Sequence, residues 1–426
     1  MSDAARLRTA AQALAGRDTG AGRRRRRAIL FVIGTLDLGG TESQLVLLAR
    51  ELKRRGWQVE VFALSRGGVL AEQLTQAGIA VFYGHHRPNP APISKPSTGG
   101  SAAPAVRENK RVSLKAMAVM ARAEAVLVAR MAMTRPTVVH AALPLTNFIG
   151  ALAGRLAFAP LVITSRRGLG NHQERWPRMK LLDRIANGLS HVVVANSNAV
   201  ARDTAARDAY DIDRIRVIPN GLDLSRFEAI EPRREESRRS LGLAEGDVAV
   251  AIVANLIPYK GHRDLVAALA LAIAKRPTLK LFLVGQDRGV APLVLEDARR
   301  LGVESRVAVM GLRNDIPGIL AGMDIGVIAS HEEGFCNALM EKLAAGLPVV
   351  ATDVGGNPEA IADMPGCELV RARDPADLAR GLLAVVDRMP EPAADREVRR
   401  RKIRERYSLA TMVDAYEQLY LGRQRV

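Results

Sequence analysis

Two cysteines in 426 residues, Cys336 and Cys367, are too few for a disulfide framework, and a reducing compartment is the expectation. No CxxC pair or histidine-rich cluster marks structural zinc. Aromatic residues make up only 4% of the chain, so platforms for stacking nucleobases are scarce. No RNA-binding signature accompanies them, and nucleic acid is not an expected partner. No apolar run approaches about 18 residues without a charge, which argues against a transmembrane helix. Residues 28–33, after a basic stretch, are too short for the core of a signal peptide and suit a first strand instead. The full GxGxxG and GxxxxGK[ST] spacings are missing, so neither a dinucleotide oxidoreductase nor a P-loop ATPase has support.

What is present is apolar residue, at 48%, and positive charge, at a net +17. A chain of this length is expected to divide into two domains. Short apolar runs at 28–33, 59–64, 79–82, 138–141, 161–164, 191–195 and 216–218 alternate with helical patterns. A second series occupies 248–253, 280–284, 306–309, 325–329, 348–351 and 368–370. Strands alternating with helices predict parallel sheets covered on both faces, hence an α/β chain of two doubly wound units. Pro219-Asn220-Gly221 is the turn between them. A ligand is then expected in the cleft between the units, at the carboxyl ends of the strands.

The stretch from His331 to Glu341 places two carboxylates, Glu333 and Glu341, eight residues apart, in a turn and in the helix after it. A buried strand follows, then the glycine turn Asp353-Val354-Gly355-Gly356. Acids at such a position do not hold phosphate; they suit the hydroxyls of a sugar or ribose. Gly39-Gly40 ahead of a helix would let a ligand approach the backbone, or is only a tight turn; Thr41 and Gln44 there have the spacing of a capping box. Lys260, between a strand and a helix, suits a diphosphate or is a surface lysine. His140 in a strand either reaches the cleft or is a satisfied structural residue. Arg166 and Arg167 either add positive charge to the same wall or are solvated. Asp211-Ile212-Asp213 has the look of a metal-binding DxD, but it precedes a strand and fits an ordinary turn.

The basic stretches Arg23 to Arg27 and Arg399 to Lys402 are either solvated ends or attracted to an anionic surface. Residues 84–111 form a long Pro-, Ser- and Gly-containing insertion. It leads into a helix at 112–133 carrying Met117, Met120, Met131 and Met133, with Lys115, Arg122 and Arg130 roughly on one face. That helix is a covered core element or an amphipathic contact with anionic lipid.

Gly39-Gly40-Thr41-Glu42, Pro219-Asn220-Gly221-Leu222-Asp223, Pro258-Tyr259-Lys260-Gly261, Val284-Gly285, and Glu333 through Glu341 with the trailing Pro348-Val349-Val350-Ala351-Thr352-Asp353-Val354-Gly355-Gly356 occur in a telling order. From about Phe31 to Tyr420 the chain resembles the retaining glycosyltransferases of family 4. The resemblance implies a GT-B fold, with two Rossmann-like domains facing across a cleft. In those terms residues 1–27 are a flexible basic segment and 28–221 the acceptor-side domain. Residues 222–407 are the nucleotide-sugar domain, and 408–426 a C-terminal helix packing back on the first. It implies Glu333, His140 and Lys260 as catalytic residues, beneath the sugar, against it and on the diphosphate. Glu341 would bind the ribose; Phe335, Cys336, Asn337, Ala338 and Leu339 would line the donor; Gly39 and Gly40 would let the acceptor-side loop approach. No metal or cofactor is implied, and the leaving phosphate itself would take the acceptor's proton. Asn255 stands where the family often has arginine, a loss that Arg166 or Arg167 could make good. Cys336 stands where Pro or Gly is common.

The expected activity is metal-independent, retaining sugar transfer from a nucleotide-diphosphate sugar to a hydroxyl, on a saccharide or lipid-linked saccharide. The expected location is the cytoplasm, peripheral to an anionic membrane surface. The alternatives are a nucleotide-sugar 2-epimerase of the same fold and a non-catalytic membrane-surface protein.

Overall fold

The computed structural model describes residues 27–84, 114–228, 230 and 233–422. The arginines 23–26 and nearly all of the 84–111 insertion lie outside these residues. Seven strands form the first sheet: β1 (Ala28–Ile33), β2 (Gln58–Ala63), β3 (Ala80–Tyr83), β4 (Val138–Ala142), β5 (Leu161–Arg166), β6 (Val192–Ala195) and β7 (Ile215–Val217). Six form the second: β8 (Val248–Val253), β9 (Leu279–Val284), β10 (Val307–Gly311), β11 (Ile325–Ile328), β12 (Val349–Thr352) and β13 (Glu368–Val370). Every pairing is parallel. The orders are β3-β2-β1-β4-β5-β6-β7 and β10-β9-β8-β11-β12-β13, so the chain reverses direction across the sheet beside β1 and beside β8. All six residues of β1 and all four of β11 and β12 are buried, as continuous apolar runs between two helical layers require. These strands match the sequence expectation within about two residues at their ends.

Two chain crossings join the units, and they lie side by side. Leu222 N–H donates to the Tyr407 carbonyl at 2.8 Å, and Leu409 N–H donates to the Leu222 carbonyl at 2.9 Å. Gln44, from the helix Gly40–Arg54, clamps this point: its amide donates to Gly221 O and accepts from Gly221 N, both at 2.9 Å. The capping box expected of Gln44 is therefore not formed. The helix begins at Gly40 with Gly39 as its N-cap, which has no side chain to cap with, and the Gln44 side chain is spent on the linker. After the second crossing, the helix Leu409–Tyr420 buries Met412, Val413, Tyr416, Leu419 and Tyr420 in the first sheet's core, with Ile29, Phe31 and Trp57. Burial of each such side chain contributes about 1.5–3 kcal/mol, so this helix is part of the first unit's stability although it follows the second in sequence.

The carboxyl ends of the two sheets meet. Ser197 Oγ donates to Gly334 O at 3.0 Å, and Asn171 Nδ2 to Glu332. Glu359 accepts the N–H groups of Asn198 and Ala199 at 3.0 and 2.7 Å. A carboxylate of one unit thus caps the N-terminus of the other unit's helix Asn198–Asp208.

Candidate active site

β11 delivers the chain into the turn 331–336, and the helix Asn337–Ala344 starts directly after it. Two contacts fix the Glu333 carboxylate there. Ser330 Oγ donates to it at 2.7 Å, and Lys260 Nζ pairs with the same oxygen. Lys260 arrives on the short 3-10 turn Pro258–Lys260 after β8, and His331 N–H donating to Tyr259 O at 2.7 Å ties the two turns together. Burial works to lower the Lys260 pKa, but the charge of Glu333, with Cys336 and the Glu333 hydrogen bond, outweighs it and holds the lysine above its ordinary value. The loop after β12 supports the turn from below. Gly356 N–H donates to Gly334 O at 2.9 Å. Gly355, at φ +54°, lies so close that a Cβ would sit 1.8 Å from Glu333 O, which only glycine avoids.

Glu341 is held differently. Its carboxylate has no hydrogen-bond or ion-pair partner among the described residues, although the helix is packed on its other faces by Leu339, Met340 and Leu343. Burial raises its pKa, against the pull of Lys342 and Arg226. Between the two acids stands the N-terminus of Asn337–Ala344, whose first N–H groups have no acceptor within the helix. The wall opposite belongs to the first unit. At Gly334 a Cβ would stand 2.5 Å from Arg167 O, and at Gly40 one would stand 3.8 Å from Asn337 Nδ2, so the two units approach closely here. Arg167 donates to Asn220 Oδ1 at 2.8 Å and to the Tyr416 hydroxyl at 3.1 Å, and Asn220 Nδ2 donates to Asn337 Oδ1 at 2.7 Å. Glu333, Glu341, Lys260, Asn337, Gly40 and Arg167 are thus gathered where the two carboxyl edges meet.

Residues 38–226 match the family model described as Glycosyltransferase Family 4, and residues 247–388 the one described as Glycosyl transferases group 1. The chain belongs to the family-4, group-1 glycosyltransferases. A D-inositol 3-phosphate glycosyltransferase of Segniliparus rotundus is 32% identical over 46% of this chain, which spans only 45% of that relative's length. A UDP-Gal:alpha-D-GlcNAc-diphosphoundecaprenol alpha-1,3-galactosyltransferase of Escherichia coli is 25% identical over 67% of this chain and 75% of its own. Anabaena HepE, solved in complex with UDP, superposes with a TM-score of 0.76 at 22% identity, covering 93% of this chain and 100% of that one. The fold is GT-B.

Not every candidate of this family-4 chain reaches the cleft. His140 does not, which corrects its place among the catalytic residues. It is 2% exposed, in the middle of β4, with Nδ1 on the Tyr420 hydroxyl and Nε2 on Ser165 Oγ, each at 2.6 Å. The rings of Phe31 and Tyr416 pack on it at 5.5 and 5.4 Å. Burial, with Arg167 nearby, lowers its pKa to about 3, so it is a neutral core imidazole. Arg166 is also corrected. It is buried and engaged by Asp183, by Asp208 at 3.0 Å and by Asn187 at 2.8 Å, so it cannot make good a cation missing at position 255. Asn255 itself is exposed, its Oδ1 accepting from Gln286 N–H at 3.3 Å. Phe335 and Leu339 put their side chains into the core, Phe335 against Tyr407 at 5.2 Å, so only their backbone could face a donor. Ala338, also packed against that core, stands in the first turn of the helix. Cys336 is the helix N-cap, and burial pushes its thiol up to about 12, away from reactive thiolate.

The charged stretches also resolve. Arg399 is fully buried, held by Gly346 O, Pro365 O at 2.8 Å and Glu391 at 2.5 Å, while Lys402 and Arg406 both grip Asp363. This stretch staples a helix to the second unit and is not a free cationic end. In the helix Leu114–Thr134, Arg130 pairs with Glu60 at 2.6 Å and lies over Phe82, and Arg122 is exposed. Lys115 and Met117 side chains lie outside the described residues. Asp211 accepts from Asp213 N–H at 3.0 Å, as an ordinary turn. No described helix is long and apolar enough to cross a membrane. Sequence reasoning missed Ser330, Ser197, Asn220's link to Asn337, and Lys342. Only Lys342 left a signal: it is the charged residue in the row Leu339, Met340, Leu343, Ala344 that faces the core.

Proposed function

We propose that this chain moves a sugar from a nucleotide-diphosphate donor to a hydroxyl of a saccharide or lipid-linked acceptor, with retention and without a metal ion. The supporting observation is one helix N-terminus flanked by an unpartnered carboxylate, Glu341, and by a carboxylate already neutralised by a lysine, Glu333 with Lys260. Glu341 accepts the two ribose hydroxyls. Glu333, oriented by Ser330 and Lys260, accepts hydroxyls of the transferring sugar. Lys260 and the N–H groups at the start of Asn337–Ala344 take the charge that develops on the leaving diphosphate. Gly39 and Gly40 bring backbone without side chains against the same point.

The acceptor oxygen forms its bond to the anomeric carbon on the face from which the phosphate departs, and the acceptor's proton passes to the departing phosphate oxygen. No protein nucleophile takes part, and the protein supplies position and charge stabilisation. A lipid-linked acceptor, of the kind named for the Escherichia coli relative, fits a cytoplasmic enzyme working at the inner membrane surface. Purified protein supplied with nucleotide sugars and candidate acceptors should release nucleoside diphosphate equally with and without EDTA, and yield by NMR a product of unchanged anomeric configuration. Inverted product or loss of turnover in EDTA sinks the corresponding part of the proposal. Conversion of donor alone to an epimer would establish the 2-epimerase instead.

A further inference from the structure

Lys342 is fully buried, one residue after Glu341, on the core-facing side of the helix Asn337–Ala344. Its side chain runs back toward the helix N-terminus, as helical geometry favours, and its Nζ donates to Ala338 O at 3.2 Å. That is its one hydrogen bond among the described residues. No carboxylate lies within ion-pairing distance of it among them. β11 is shaped around the stem: at Gly326 a Cβ would stand 2.4 Å from Lys342 Cδ. A buried ammonium with a single neutral acceptor costs stability. It is also the wrong sign for its place, since the first turn of a helix already carries partial positive charge. An anion arriving at this N-terminus would relieve both costs at once.

We infer that Lys342 is a concealed second cation of the donor site, acting through the first turn of its helix on the leaving diphosphate and supplying the positive charge that Asn255 does not. This rests on the proposed function, since it presumes that a diphosphate binds there. Lys342 touches no ligand and is a positioning residue. The titratable groups acting on it are Cys336, Glu341, Lys260 and Glu333, and burial brings its pKa down to about 8. A bound anion raises that pKa again, so the neutral amine takes up a proton and becomes ammonium on binding at alkaline pH.

The test is calorimetric titration of the full chain with UDP, GDP and ADP, in buffers of differing ionisation enthalpy at pH 7 and 8.5, for the wild type and Lys342→Met. Wild-type protein should take up protons on binding at pH 8.5, where Lys342 is largely neutral before the anion arrives, and far fewer at pH 7, where it already carries its proton. Lys342→Met should bind about 10-fold more weakly at pH 7 and show no uptake, while melting no lower than the wild type. Unchanged affinity in Lys342→Met, or no proton uptake by the wild type at pH 8.5, overturns the inference, and the second readout stands even where the variant folds poorly. Wild-type protein that binds none of the three nucleotides refutes the proposed function itself, a distinguishable result.

Discussion

Arg166 and Lys342 are both buried cations, one in each unit, and their surroundings are opposite. Arg166 is met by two carboxylates, Asp183 and Asp208, and by Asn187, so that its charge is cancelled inside the first unit. Lys342 has one backbone carbonyl and a helix terminus of its own sign. A compensated buried charge is a structural part, and an uncompensated one is energy held for something yet to bind. The same contrast separates the two acids of the site: Glu333 is held by Ser330 and Lys260, whereas Glu341 stands open.

The largest expected effect breaks the first member of the pair. Arg166→Met leaves Asp183 and Asp208 without their cation and should lower unfolding stability by about 3–5 kcal/mol in urea denaturation. Lys342→Met should leave stability equal or raised, and a similar loss in both variants would erase the distinction. Next, Glu341→Gln should weaken nucleoside-diphosphate binding by about 10- to 100-fold, the worth of hydroxyl bonds to a charged acceptor. Its melting temperature should not fall, because the carboxylate has no internal partner to lose. Unaltered affinity by titration calorimetry would remove Glu341 from the ribose.

The smallest effect concerns His140. His140→Phe orphans the Tyr420 and Ser165 hydroxyls and should cost about 1–3 kcal/mol, with turnover per folded molecule unchanged. A collapse of turnover without loss of stability would return His140 to the chemistry. The pH dependence sharpens this. Its folded pKa, about 3, lies below the ordinary 6.5, so the neutral ring contributes stability above pH 6.5. That contribution is lost progressively as the pH falls from 6.5 towards 3. Thermal melts at pH 7 and 4.5 should therefore show a smaller acid-induced drop in His140→Phe than in the wild type.

Much of the fold was legible because it depends on local pattern. Unbroken apolar runs such as 28–33 and 348–351 suit strands covered on both faces, and the runs between them have helical period. The acidic block was legible because its two glutamates, its turn and its helix are consecutive in sequence. His140, Arg166, Gln44 and Arg399 were not, since what each one does depends on partners far along the chain: Tyr420, Asp208, Gly221 and Gly346. A strand histidine reads the same whether its neighbour is solvent or the last helix.

From its sequence alone the chain was committed to two parallel sheets, to a linker at residues 219–221 and to a pair of glutamates beside a helix start, because periodicity and turn chemistry act over a few residues. Which charges are cancelled and which stay exposed to a ligand was settled only in three dimensions. Compensation requires a partner within a few ångströms, and it is the packing of the final helix and the meeting of the two units that brings those partners in or keeps them away.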